Sequence, residues 1–150
     1  MLTVLGLSTE RLIDPALLLG RALLAWIFVH EGFSLAVNLD ATLSLMGKLG
    51  VPAPMAIATI ALQLGAGLAL AIGWQTRSAA LALGLFCLAT ATLFHTNFAN
   101  HNELLHFEKD LAVAGGMFGF AARGAGGWAV DQILRYRPAQ DGRIELAQLE

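Results

Sequence analysis

Two long stretches of this chain carry no charged side chain. Leu49–Thr76 has no Asp, Glu, Lys or Arg, Ser78–Asn102 has none either, and only Arg77 separates them. A water-facing surface needs charge, and soluble domains give about 25% of their residues to it. Here the charged fraction is 13%, against 57% hydrophobic. A helix of about 20 apolar residues crosses a hydrocarbon layer of about 30 Å. In that layer a helix satisfies its backbone polar groups internally. The expectation is an all-α integral membrane protein, a four-helix bundle.

The first span is predicted over Pro15–Val37, with Asp14 as cap and Pro15 at the first helical position. Residues 38–52 form an outer loop that includes much of Gly47–Pro54. The second span follows over Ala53–Trp74, and Gln75-Thr76-Arg77 makes a short turn. The third span covers Ser78–Phe98, then a polar, partly helical loop runs over Asn97–His106. The fourth is predicted over Phe107–Ala122 and is closed by Gly124-Ala-Gly-Gly127. Trp128, Ile133 and Tyr136 beside Arg135 and Arg137 suit a short interfacial helix. The domains are then an N-terminal segment 1–14, a membrane domain 15–131 and a tail 132–150. Met1–Asp14 lacks a net-positive start and an Ala-x-Ala site, so the first apolar segment is read as a retained span.

An even number of spans puts both termini on one side. That side collects Arg11, Arg77, Arg123, Arg135, Arg137 and Arg143, against Lys48 and Lys109 on the other. Positive charge stays inside, so both termini are expected in the cytoplasm of a bacterial inner membrane. The partner of most of the surface is the lipid bilayer. No Lys/Arg-rich run tracks phosphates, so no nucleic acid is expected.

Ionisable groups within the spans are few. Each costs about 2.5–3.5 kcal/mol on insertion scales unless paired or wet. His30 and Glu31 lie toward the outer end of the first span. A neutral Glu31 carboxyl would donate a hydrogen bond to a carbonyl or relay a proton; the competing reading pairs it with Lys109 across the bundle. Lys109 sits where the fourth span opens, in Glu108-Lys109-Asp110. The acidic neighbours suit a helix start and the lysine does not, so Lys109 requires a carboxylate or a ligand. Gln63, in the middle of the second span, is expected to face a neighbouring helix, and hydrogen bonding between helices would account for it. Arg21 either snorkels to the inner surface or partners an anionic ligand or a carboxylate.

All four histidines, His30, His95, His101 and His106, fall in the outer zone. The last three are spaced six and five apart, which stacks no two imidazoles on one helical face. No metal site is expected, and haem is disfavoured too. Cys87 stands alone in an apolar run, which excludes an internal disulfide and suits a small buried hydrophobe. Gly115 and Gly119, and likewise Gly65 and Gly67, let helices approach closely, within the bundle or at a dimer face. Thr59, Thr90 and Thr92 read as helix-compatible filler.

The ordered set of motifs resembles the DoxX family of small four-span membrane proteins. Phe28-Val-His30-Glu-Gly32-Phe-Ser is similar to the family's first-span pattern. Gln63-Leu-Gly65-Ala-Gly67 through Gly73-Trp-Gln-Thr76-Arg77 resembles its second span and turn. Phe94-His95, Glu108-Lys109-Asp110 through Gly115-Gly116, and Gly124-Ala-Gly-Gly127-Trp-Ala-Val-Asp131 complete the match, over about Pro15–Asp131. The family often has Lys where this chain has Leu35, and Glu where it has Gln63. The resemblance implies an inner-membrane protein tied to redox metabolism. Some members are quinone-linked subunits of thiosulfate oxidation systems, and others associate with thiol or oxidative-stress enzymes.

On this reading the chain is a quinone-interacting subunit of a redox system that takes electrons from a protein partner, a redox enzyme or a larger membrane complex. Glu31 and Lys109 carry the chemistry, and His30, His95, Gln63 and Arg21 hold the cofactor. The alternative is a non-catalytic membrane anchor or assembly subunit. A transporter or proton path is disfavoured, because the inner half of the stretch between Glu31 and Arg21 lacks ionisable groups.

Overall fold

The computed structural model describes residues 9–136, so the predicted tail beyond Tyr136 and the first eight residues lie outside it. Those residues form helices and short connections, with no strand among them. In chain order the helices are α1 (Thr9–Val37), α2 (Leu39–Lys48), α3 (Ala53–Ile72), α4 (Thr76–Phe94), α5 (His101–Arg123) and α6 (Val130–Tyr136). Three of them are long and apolar enough to cross a membrane: Leu12–Val37 within α1, then α3 and α4. Most of their large outward side chains are apolar, among them Leu19, Leu23, Ile57, Leu68, Leu81, Leu85 and Leu93. α5 is as long as these but carries Glu103, Glu108, Lys109 and Asp110 in its first half.

Each long helix packs on the next, in the order α1, α3, α4, α5, and α1 meets α5 more lightly. The shared core is Ala25 and Phe28 of α1, Leu70 of α3, Ala80, Leu83 and Cys87 of α4, and Val113, Ala114, Met117 and Phe120 of α5. Small residues set the spacing. A Cβ on Gly67 would lie 3.1 Å from Val29 and 3.2 Å from Phe28, and one on Gly84 would lie 3.0 Å from Phe118 and 3.1 Å from Met117. Gly65, Gly115 and Gly119 face open space instead. The packing role of the Gly115-Gly116 region therefore falls to Gly116, which meets Leu24.

The structure moves three boundaries. α1 does not start at Asp14-Pro15; it begins at Thr9 and holds Pro15 inside, because Asp14 serves a distant backbone amide rather than its own helix. The expected 38–52 loop contains α2. Its Asp40 and Lys48 suit the two ends of the helix dipole. Thr42 is its buried residue, with its hydroxyl donating to the Leu35 carbonyl at 3.1 Å. α5 starts at His101 rather than Phe107, because the Asn100 side chain accepts the Asn102 amide at 3.0 Å. Lys109 consequently lies well inside a helix, and the unfavourable end position argued for it disappears.

Overpacking a close helix contact costs about 1–3 kcal/mol. Gly67→Val and Gly84→Val are expected to lower the melting temperature in mild detergent by several degrees, while Gly65→Val and Gly115→Val stay near wild type. Equal melting of all four variants would refute this packing.

Candidate functional site

Two polar constellations occupy opposite ends of the bundle. The first is a clasp at the end where α3 gives way to α4. Arg21 is 1% exposed. Its Nη1 donates to the Ala125 carbonyl and its Nη2 to the Trp128 carbonyl, each at 2.9 Å. Gly73 makes room for it: φ is +74°, and a Cβ there would lie 2.6 Å from Nη1. The same glycine closes α3, with the Trp74 amide donating to Ala69 at 2.8 Å, the arrangement a left-handed terminal glycine permits. Asp14 Oδ1 accepts the Gly127 amide at 2.7 Å.

Asp131 completes the clasp. Its carboxylate accepts the Gln75 amide at 2.7 Å and the Thr76 amide at 3.0 Å, capping α4 from α6. Its own amide donates to the Gly73 carbonyl at 2.9 Å. Partial burial pushes the carboxyl up. The two amides and the Arg135 charge outweigh that, and its pKa lies below the ordinary value. The nearby Thr76 hydroxyl adds to the effect without completing a hydrogen bond of its own.

The second constellation is a cavity of about 110 Å³ toward the other end. Ile27, Phe28, Phe86 and Val113 give it apolar walls, and Glu31, Gln63, Cys87, Thr90, Lys109 and Asp110 line the rest. Its position follows from how α1 meets α5. In the clasp half that seam is shut by Gly20 against Phe120 and by Gly116 against Leu24. Beyond those contacts Ile27, Glu31 and Lys109 are exposed, so the cavity opens there. Gln63 is 7% exposed, and its Oε1 has no hydrogen-bond partner among the described residues. The Thr90 hydroxyl lies 3.0 Å from Asp110 Oδ2, and 3.0 and 3.2 Å from the Cys87 and Phe86 carbonyls. Its single proton serves one acceptor at a time.

Of the residues singled out in the sequence, the structure brings Glu31, Gln63 and Lys109 together. Glu31 and Lys109 share the cavity without forming a salt bridge; among the described residues the ion pair is His95 with Glu103, at 2.8 Å. The other three candidates lie elsewhere. His30 is exposed and stacks on Trp26 at 5.8 Å. His95 is turned to Glu103 and stacks on His106 at 5.1 Å. Arg21 is committed to the clasp, neither snorkelling nor facing a carboxylate in a salt bridge. Cys87, Thr90 and Asp110 were not singled out. The signal that could have found Cys87 and Thr90 is their three-residue spacing, which sets both on one face of a helix. Among the described residues no group of His, Cys, Asp and Glu is arranged to hold a metal ion.

A bundle of apolar-faced helices with its polar groups gathered at the two ends defines a membrane protein, and sequence comparison gives its kind. The DoxX family's sequence profile matches residues 16–96, and the chain belongs to that family of inner membrane proteins. It is 36% identical over 125 residues to the inner membrane protein YqjF of Escherichia coli K12, covering 83% of this chain and 96% of that one. It is 29% identical over 123 residues to the inner membrane protein YphA of the same organism, covering 77% and 88%. No solved structure matches.

The clasp generates two expectations. Removing the guanidinium strands buried carbonyls, at about 1–3 kcal/mol for each group left unsatisfied. Arg21→Met should therefore free α6, and limited proteolysis after Arg123 or Arg135 should speed up at least tenfold. Arg21→Lys, with one ammonium for two acceptors, should fall between. The second expectation concerns acid. A carboxylate whose folded pKa lies below its unfolded one contributes fully above the unfolded value, and loses that contribution as pH falls through the folded value. Trp128 fluorescence should report loosening below about pH 4. Asp131→Asn should be looser at neutral pH and lack that acid step. Matching acid profiles for the two proteins would refute the role of Asp131.

Proposed function

We propose that this protein is a four-span, quinone-interacting subunit of an inner-membrane redox system, with α5 as the fourth span and both termini in the cytoplasm. Arg77, Arg123 and Arg135 at the clasp end, against Lys48 and Lys109 at the cavity end, support that orientation. The observation that carries the functional reading is Gln63. A buried side-chain amide with an unpartnered oxygen costs about 1–3 kcal/mol, and it lines a cavity with both apolar walls and ionisable groups. Ligand sites typically combine apolar walls with a few convergent polar groups.

In this reading Phe28, Phe86 and Val113 would give a quinone headgroup its apolar walls, with the α1–α5 opening as its way in from lipid. Lys109 would supply a charged donor and the Gln63 amide a neutral polar contact. Glu31, exposed at the mouth, exchanges the proton with the outer water. A quinone supplies two-electron, two-proton chemistry; the electrons come from a partner enzyme. His30 and His95, each engaged with its own neighbour, drop out of the binding role. The runner-up is an anchor or assembly subunit, favoured by the open space at Gly115 and Gly119.

Titration of the purified protein with decylubiquinone tests the reading. Hydrogen bonds to charged groups are worth about 1.5–3 kcal/mol, so Lys109→Ala should weaken binding about 10- to 100-fold. Gln63→Ala should weaken it about tenfold, and Glu31→Gln should change its pH dependence. An absence of binding by wild type, or binding as tight as wild type by both Gln63→Ala and Lys109→Ala, would overturn it.

A further inference from the structure

A second cavity, of about 320 Å³, lies at the clasp end, between the start of α4 and α6. Gln75, Thr76, Arg77, Ser78, Asp131 and Arg135 are among the residues that line it. Arg77 reaches it across Gly124, where its Nε would sit 3.4 Å from an added Cβ. Arg135 projects from α6, one turn beyond Asp131. Among the described residues neither guanidinium has a carboxylate in salt-bridge contact. Asp131 holds one negative charge there, and it is spent on the Gln75 and Thr76 amides. The Arg77 and Ser78 amides, in the first turn of α4, have no acceptor within that helix. On the floor, Thr76 is fully buried and its hydroxyl makes no hydrogen bond. Two guanidiniums, a serine hydroxyl and two amides against one engaged carboxylate leave the cavity with unspent donors and net positive charge.

We propose that this cavity binds a phosphate group, bridged between Arg77 of α4 and Arg135 of α6. Guanidinium forks and helix-start amides both suit phosphate oxygens. Place favours the phosphate of an anionic phospholipid headgroup. Trp74 and Trp128 are exposed at this end, as aromatic side chains are at a membrane boundary. Ile133 and Leu134 give α6 an exposed apolar surface on which acyl chains can lie. The bound phosphate would staple α6 to the bundle beside the clasp. It makes a site that is separate from the quinone cavity and independent of it.

Thermal unfolding of the full chain in mixed micelles tests the proposal, with phosphatidylglycerol, phosphatidylcholine or inorganic phosphate added in turn. Phosphatidylglycerol should raise the melting temperature about 5 °C above phosphatidylcholine, as a ligand in large excess over its dissociation constant does. Arg77→Gln and Arg135→Gln should each abolish the rise. Arg123→Gln, which removes an exposed charge at the same end but outside the cavity, should keep it. Native mass spectrometry of wild type should retain one phosphatidylglycerol in preference to phosphatidylcholine, which stands as a readout even where Arg77→Gln does not fold. A rise with inorganic phosphate alone would assign the site to a soluble phosphate. Equal melting in all three conditions, or equal loss in Arg123→Gln, would overturn the proposal.

Discussion

The buried guanidinium of Arg21 is the interaction on which the rest of this bundle depends. It is a cation within an apolar helix that bonds to backbone carbonyls, so it fixes a segment with no regular structure of its own. Once Ala125 and Trp128 are held, Asp131 is delivered to the start of α4 and Gly127 to Asp14. The start of α4 and the chain between α5 and α6 are thereby satisfied by three side chains, Arg21, Asp14 and Asp131. A helix end left unsatisfied where it is buried is expensive. That makes one arginine more consequential here than its two hydrogen bonds suggest.

Closure at one end leaves openness at the other. Gly20 and Gly116 let α1 and α5 meet near the clasp. The same seam holds Ile27, Glu31, Lys109 and Asp110 farther out, where a cavity forms. The polar groups divide accordingly. Those of the clasp are mostly spent on backbone partners. At the cavity Thr90 meets Asp110 and Lys109 meets His106, but Gln63 Oε1 lacks a partner among the described residues. A polar atom without a protein partner beside a cavity costs free energy unless water or a ligand reaches it.

The apolar helices were legible in the sequence because charge depletion and span length are properties of composition. α2 was not, because ten residues that include Asp40, Thr42, Ser44, Gly47 and Lys48 look the same as a polar loop until Thr42 finds the Leu35 carbonyl. The start of α5 depended likewise on one asparagine cap. Glu31 and Gln63 stood out as polar groups in apolar runs and Lys109 as a cation at an expected helix start, and the fold gathered them. Arg21 stood out too, but its acceptors are backbone carbonyls, which have no sequence signature. Cys87 and Thr90 passed as small helix filler, and Asp110 as dipole compensation. Their place at the cavity arises only once α4 and α5 are packed.

Charge and neutral polarity are divided among the helices that line this cavity. Glu31 comes from α1, Lys109 and Asp110 from α5, and the neutral Gln63 from α3. Lys109 is thus the cation among the residues that line it, while Gln63 carries a donor and an acceptor in one uncharged amide. The charges sit on two long helices that meet only lightly, and the neutral amide sits on the helix that packs closely against α1. An ionisable group at a loose seam can stay wet, whereas a buried group deeper in the bundle must be uncharged or paired.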